Sequence, residues 1–350
     1  MGAIATVQAD GTRTRSELER IIREERITPV FQPIIDLLKQ DVYGFEVLSR
    51  GEGAFTMPSD LFGCARAWGM TWDLERVARR AAIKRISILP PRLRDKYFFL
   101  NVSPDIFSDD RFRNGFTAET LRRYGIDQSR IVIEITETAG ILDYARFETV
   151  IRHYTDQGFR VALDDFGAGH SGLVTLVTVT PQFLKLDRAL IENIDCHGYK
   201  QQLVRAMVQF THEVGSTIIA EGIETMDELK TILRLGVRHA QGYLFQKPQL
   251  VPSDVSPELL RQTGEMVRQF HFSSLLCDNV IDDLVRTPLT VPADTCRGAD
   301  VEELFRKDAR LDHLVALDGR HPVGLLTRHR YYGIAGTLFG HELMQRKHVG

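Results

Sequence analysis

IVIEITETAGILDYARFETVIRHYTDQGFRVALDDF, residues 131–166, decides the fold. It opens on IVIEITE (131–137) and closes on RVALDDF (160–166), two short runs rich in β-branched and bulky apolar residues. Their apolar side chains stand in nearly successive positions instead of alternating, as in strands of a parallel sheet buried on both faces. Between them FETVIRHYTDQG (147–158) has helical character and ends at Gly158, a suitable C-cap. Strand, helix, strand is the repeating unit of parallel sheets.

The same rhythm extends in both directions. VFQPII (30–35), YGFEVLSR (43–50) and YFFLNVS (97–103) precede it; FLKLDR (183–188), TIIAEGIE (217–224) and HAQGYLF (239–245) follow. Helical stretches separate most of these runs: one long helix over 61–86, another over 199–215 ending at Gly215, and a third over 225–236 with Thr225 as N-cap and Gly236 as C-cap. Eight strands alternating with helices over about 230 residues predict a (β/α)8 TIM-type barrel. A doubly wound open sheet lacks support, because no GxGxxG follows the first strand. DLLKQDV (36–42) is too short for a helical crossover, so the first strand is expected to run antiparallel to the second.

The flanks read differently. Residues 1–15 are small and polar, an expected disordered tail; SELERIIREE then predicts a helix with Ser16 as N-cap and Glu19 completing a capping box. The barrel is assigned to 16–250, a Pro- and Ser-rich link with helix to 251–269, and a small α/β module to 270–350. That module reads strand–helix–strand–strand, with a hairpin at DGRHPVG (318–324). A length of 350 residues fits two such units. The net charge of −3 gives no global basic excess that would invite a nucleic-acid polymer. Cys64, Cys196, Cys277 and Cys296 are scattered, which argues against a zinc ribbon or disulfide framework and for a reducing cytoplasm. No apolar run is long enough to span a bilayer.

Chemistry is visible in where polar groups interrupt the buried strands. Glu46, Asn101, Glu134, the pair Asp164 and Asp165, Lys185, Glu221 and Gln241 fall near the C-terminal ends of successive runs. In a barrel these ends converge on the face that carries active sites. Any one of these residues is commonly solvated, salt-bridged or bonded to a turn, and Lys185 has Asp187 as a nearby structural partner. Recurrence from strand to strand outweighs that account, since so much uncompensated buried charge would threaten a domain stabilised by only about 5–15 kcal/mol. Carboxylates crowded together need cations. An oxygen-only set selects hard ions such as Mg2+ or Mn2+. Two such ions suit phosphoryl chemistry, with Lys185 as a fixed positive charge.

In order along the chain, FQPIIDL (31–37), Glu46-Val47-Leu48-Ser49-Arg50, LNVSP (100–104), EITET (134–138), DDFGAGHSGL (164–173), KLDR (185–188), AEGIET (220–225) and QGYLFQKP (241–248) resemble the motifs of EAL-domain cyclic di-GMP phosphodiesterases. The resemblance implies a barrel with an antiparallel opening strand. It also implies hydrolysis of cyclic di-GMP to linear pGpG with two Mg2+ or Mn2+ ions. By position it makes Glu46, Asn101, Glu134 and Asp164 ligands of one ion, and Asp164, Asp165 and Glu221 the group around the other. Lys185 and Gln241 would flank the attacking water, and Gln32 and Arg50 would bind substrate. Glu137 and Glu224 would hold the 164–173 control loop and its surroundings, near which family members dimerise, so a homodimer is expected. Val47 replaces the eponymous alanine, and Ala168 and His170 stand where Thr and Tyr are frequent. With every carboxylate kept, an active enzyme is favoured over a silent cyclic di-GMP receptor. HLVALD (313–318) and PVGLLTR (322–328) resemble one CBS-type repeat, implying a regulatory module, truncated or paired across a dimer.

Overall fold

The protein's computed structural model describes residues 11–109, 111–136, 144–168, 176, 180–252, 255–277, 289–308, 311, 313–319 and 321–335. Eight strands close into a barrel in sequence order: β1 (Thr28–Asp36), β2 (Asp41–Arg50), β3 (Tyr97–Asn101), β4 (Ile131–Thr136), β5 (Arg160–Phe166), β6 (Phe183–Leu186), β7 (Thr217–Ala220) and β8 (His239–Ala240). From β2 to β8 each pairs in parallel with the next. β1 runs antiparallel to both neighbours, meeting β2 with Gln32 opposite Glu46 and β8 with Ile35 opposite Ala240. The cause is the short link: residues 37–40 make a tight turn, closed by the Asp36 carboxylate accepting from the Leu38 and Lys39 N–H groups.

Helices fill the crossovers, with three departures from the sequence reading. The helix expected over 61–86 is two, α2 (Pro58–Ala67) and α3 (Thr71–Ser87), broken where Gly69 takes φ +67°. The first helix, α1 (Gly11–Arg23), begins before Ser16, so Ser16 is interior and not the N-cap, and residues 11–15 of the expected tail are helical. A short helix, α4 (Phe116–Tyr124), was not anticipated. α5 (Tyr144–Asp156) and α6 (Gly198–Val214) stop just before Gly158 and Gly215, as the spacing predicts. α7 (Met226–Arg234) starts at a capping box: Thr225 Oγ1 accepts from Glu228 N–H, and the Glu228 carboxylate accepts from Thr225 N–H.

The outward strand faces and the surrounding helices bury one large core that includes Phe31, Phe45, Phe98, Ile133, Leu163 and Leu184. A second cluster, with Leu18, Ile21, Phe55, Leu61, Leu74 and Val77, ties α1 to α2 and α3. A third lies inside the barrel: Ile34, Phe99, Val132, Ala162, Phe183 and Ile219.

The chain divides into two units, Met1–Phe270 and His271–Gly350. In the smaller one β9 (Thr290–Pro292) pairs in parallel with β10 (His313–Asp318), which pairs antiparallel with β11 (His321–Thr327) across the predicted hairpin. A helix, Gly298–Lys307, crosses between β9 and β10, and a second, Arg328–Ala335, follows β11. Val291, Val301, Phe305, Leu314 and Tyr331 form its core. Among the described residues Cys64, Cys196 and Cys296 are free thiols, and no helix is long and apolar enough to cross a membrane.

Candidate functional site

Strand periodicity builds the site. Side chains two residues apart share a face of a strand. Gly44, Phe99, Val132, Ala162, Phe183, Ile219 and His239 therefore have Glu46, Asn101, Glu134, Asp164, Lys185, Glu221 and Gln241 as their inward successors towards the C-terminal mouth. β1 runs the other way, so its mouth residue is Gln32, two before Ile34. Glu221 and Gln241 lie just past their strands, yet their N–H groups continue the ladder to the Leu186 and Ala220 carbonyls.

β5 breaks the alternation. It carries one extra residue between Leu163 and Phe166 relative to β6, and Asp165 takes a left-handed φ of +54°. In a regular strand Asp165 would face away from Asp164. The bulge instead lets Asp164, Asp165 and Glu221 each offer an oxygen, all within 4.8 Å of one another.

Lys185 is the hub. Its Nζ lies 2.6 Å from Glu134 Oε1, 2.7 Å from Glu221 Oε1, 3.0 Å from Asp164 Oδ1 and 3.6 Å from Glu46 Oε2. Among the described residues it is the one cation within ion-pair reach of these carboxylates. Asp187, its alternative partner from the sequence, instead caps the one-turn helix Arg188–Ile191 by accepting from Ala189 N–H. The Asn101 amide donates to Glu46 Oε1 (3.3 Å) and Glu134 Oε2 (3.2 Å). The Gln241 amide donates to Glu46 Oε2 (2.5 Å) and Gln32 Oε1 (3.1 Å), and the Gln32 amide to the Gln246 carbonyl.

Burial pushes the Glu134 and Glu221 carboxyls well above the usual carboxylate range; Lys185 opposes the rise, while Glu46 and Asp164 add to it. Burial would pull the Lys185 ammonium down, but the surrounding carboxylates overcome it and hold its value well above normal. Asp165 is raised to about 6 by burial and by its neighbour Asp164. Among the described residues the arrangement is an acidic cup with one internal cation, made of hard oxygen donors without His or Cys. That donor set suits a divalent ion of the Mg2+ or Mn2+ type.

A cavity of about 780 Å3 opens from Glu46, Asn101, Asp164 and Asp165 towards a wall of Pro58, Phe62, Arg66, Glu75 and Arg79. Sequence reading missed Glu75 and Arg79, a buried pair at 2.6 Å on the inner face of α3. Their signal was present as opposite charges four residues apart within an apolar helical stripe. Two predicted residues stay outside the cup. The Arg50 guanidinium bonds the carbonyl of its own neighbour Ser49, at 3.0 Å. Glu224 pairs with Arg188 (2.9 Å), which also donates to the Gly222 carbonyl and to Glu192 Oε1, so it braces the turn after β7. Glu137 and residues 169–173 of the expected control loop lie outside the described residues.

Residues 15–248 match the EAL domain. The signaling protein YkoW of Bacillus subtilis is 27% identical over 251 residues, covering 71% of this chain and 31% of that protein. The cyclic di-GMP phosphodiesterase PdeF of Escherichia coli is 25% identical over 248 residues, 69% of this chain and 32% of that one. The chain thus aligns with about a third of the length of these curated relatives. BlrP1 of Klebsiella pneumoniae, solved with calcium and cyclic di-GMP, superposes with a TM-score of 0.61 at 29% identity, over 65% of this chain and 57% of that one.

Proposed function

Since this chain belongs to the EAL domain family, we propose that it hydrolyses one phosphodiester bond of cyclic di-GMP, releasing linear pGpG. The observation that carries the proposal is the intact cup: Glu46, Asn101, Glu134, Asp164, Asp165 and Glu221 gathered at one mouth around Lys185. A receptor that only binds the nucleotide has no need to keep so costly a group of charges.

Two Mg2+ or Mn2+ ions are proposed as cofactors, one held by Glu46, Asn101, Glu134 and Asp164, the other by Asp164, Asp165 and Glu221. Bound there, they supply Lewis acidity and neutralise phosphoryl charge. Asn101 would turn its amide over to present oxygen in place of nitrogen. The remaining work falls to the chain's own groups. Lys185 holds the attacking water and stabilises developing negative charge. Glu221, at 2.7 Å from Lys185, takes the water's proton in this reading. Gln241 orients the water and fixes Glu46, while Gln32 and Arg50 bind the substrate. Arg50 Nη1 donates to the Ser49 carbonyl, which leaves the other guanidinium N–H groups to meet a phosphate.

We further infer a cytoplasmic homodimer with Glu137 and Glu224 as loop-control residues. The smaller unit is read as a regulatory module resembling a CBS-type repeat. Purified protein incubated with cyclic di-GMP and Mg2+ or Mn2+ should yield pGpG by chromatography. EDTA should stop it, and Glu46→Ala should abolish it while leaving nucleotide binding. Tight binding with no product under any divalent ion would replace the enzyme reading by the receptor one.

A further inference from the structure

The backbone that carries Asn101 is tied down one link at a time. Val102 N–H donates to the Glu134 carbonyl at 2.9 Å, the last rung between β3 and β4. The next donor, Ser103 N–H, leaves the sheet and goes to Glu75 Oε1 at 2.7 Å. Pro104, which follows, has no N–H to give. The other Glu75 oxygen accepts from Arg79 Nη2 at 2.6 Å, and Arg79 Nη1 donates to Thr117 Oγ1 (3.1 Å) and Tyr154 Oη (3.3 Å). Glu75 and Arg79 are each only 4% exposed.

Burying an ion pair is expensive in desolvation unless its spare hydrogen-bonding capacity is used. Here the spare carboxylate oxygen holds a backbone N–H two residues from Asn101, and the guanidinium fixes the carboxylate against α4 and α5. By contrast the Arg66–Asp105 pair (2.9 Å), which holds the same loop, is exposed and worth little. We propose that Glu75 is a positioning residue for the divalent-ion site: by anchoring Ser103 N–H it keeps Asn101 between Glu46 and Glu134. This rests on reading that cup as a metal site.

The test is calorimetric titration of the full chain with Mn2+. Glu75→Gln leaves one oxygen to serve both Ser103 and Arg79. Ser103→Pro deletes the N–H donor, at a residue whose φ of −80° admits proline. It also removes the hydroxyl that accepts from Asp105 N–H, so Ser103→Ala, which loses that hydroxyl but keeps the N–H, is the control. Glu75→Gln and Ser103→Pro should weaken Mn2+ binding about 10- to 100-fold, the usual cost of losing an outer support of a metal ligand. Ser103→Ala should leave it unchanged. In an Asn101→Ala background neither change should weaken binding further, a coupling that a merely structural role would not produce. Folded variants that bind Mn2+ as the parent does, or that lose affinity equally in the Asn101→Ala background, overturn the positioning role alone. A parent chain that takes up no Mn2+ overturns the metal-site reading itself. Should Glu75→Gln fail to fold, Ser103→Pro against Ser103→Ala decides.

Discussion

At the mouth of the barrel the inward positions hold Gln32, Glu46, Asn101, Glu134, Asp164, Lys185, Glu221 and Gln241. One pleat below, the same strands hold Ile34, Gly44, Phe99, Val132, Ala162, Phe183, Ile219 and His239, most of them in one dry cluster. Each of the eight strands thus contributes a polar residue to one ring and a floor residue to the other. The floor, packed like any core, sets the strand spacing. The mouth then holds like charges closer together than a flexible surface would. The two rings should therefore fail differently when altered.

Lys185→Met is expected to have the largest effect. It leaves Glu134, Glu221, Asp164 and Glu46 facing one another without their cation, and breaking a buried pair this way costs about 3–5 kcal/mol. Hydrolysis should vanish with it. The stability deficit should shrink at acid pH, where the stranded carboxyls take up protons, and thermal unfolding at pH 5 and pH 8 reads this directly. A deficit independent of pH would mean that the four carboxylates are not coupled through Lys185.

Phe99→Ala should come next, with the opposite signature. Phe99 is fully buried in the floor and packs edge-on against Phe183, with ring centroids 5.3 Å apart. Its truncation should lower unfolding stability by about 3–5 kcal/mol. Mn2+ affinity per folded molecule should hold. Loss of metal binding at unchanged stability would erase the division between floor and mouth.

The floor has one titratable exception, His239, buried against Tyr43 with ring centroids 4.3 Å apart. Burial pulls it down to about 4, against the upward pull of Asp36 and with Arg238 and Lys39 adding to the fall. The unfolded chain therefore binds the proton more readily between about pH 4 and 6.5, so stability rises with pH across that window and is lost as pH falls through it. The span corresponds to about 3 kcal/mol. His239→Phe, which keeps a ring on Tyr43, should flatten the difference; an unchanged slope in denaturant midpoint against pH would place the acid sensitivity elsewhere.

The strands and the mouth residues were legible because a strand's period of two and the chemistry of Glu, Asp, Asn and Lys are both local facts. FLKL and IVIEIT announce buried strands with one charged residue each. What was not legible depends on contacts between distant segments. The break at residues 68–70 lies inside a stretch whose apolar spacing never lapses; Gly69 makes the turn, yet Gly63, in the same stretch, sits inside α2, so glycine alone did not mark the place. Glu75 and Arg79 stood at pair spacing in an apolar stripe, but what the pair holds showed only when Ser103, from another loop, was seen to complete it. The adjacent aspartates suggested a shared role, but a strand would have parted them; the bulge and the positive φ at Asp165 reconcile the two.

The smallest expected effect falls where the rings meet. Gly44 is the floor residue of β2, directly before Glu46 on the inward face. A Cβ built there would lie 2.7 Å from the Tyr97 carbonyl oxygen and 3.0 Å from Tyr97 Cβ, and backbone cannot swing aside as a side chain can. Gly44→Ala must therefore push β2 away from β3, an overpacking cost of about 1–3 kcal/mol. Because Glu46 rides on the same strand, the displacement also reaches its contacts with Asn101 and Gln241. Thermal unfolding should show the stability loss, and Mn2+ titration a weakening smaller than that of Glu75→Gln, since no hydrogen bond is deleted. If Gly44→Ala lowers stability and leaves Mn2+ affinity untouched, the floor supports the mouth only by keeping the barrel folded. If both shift together, the floor also sets the distance between the mouth carboxylates, and the two rings form one mechanical unit.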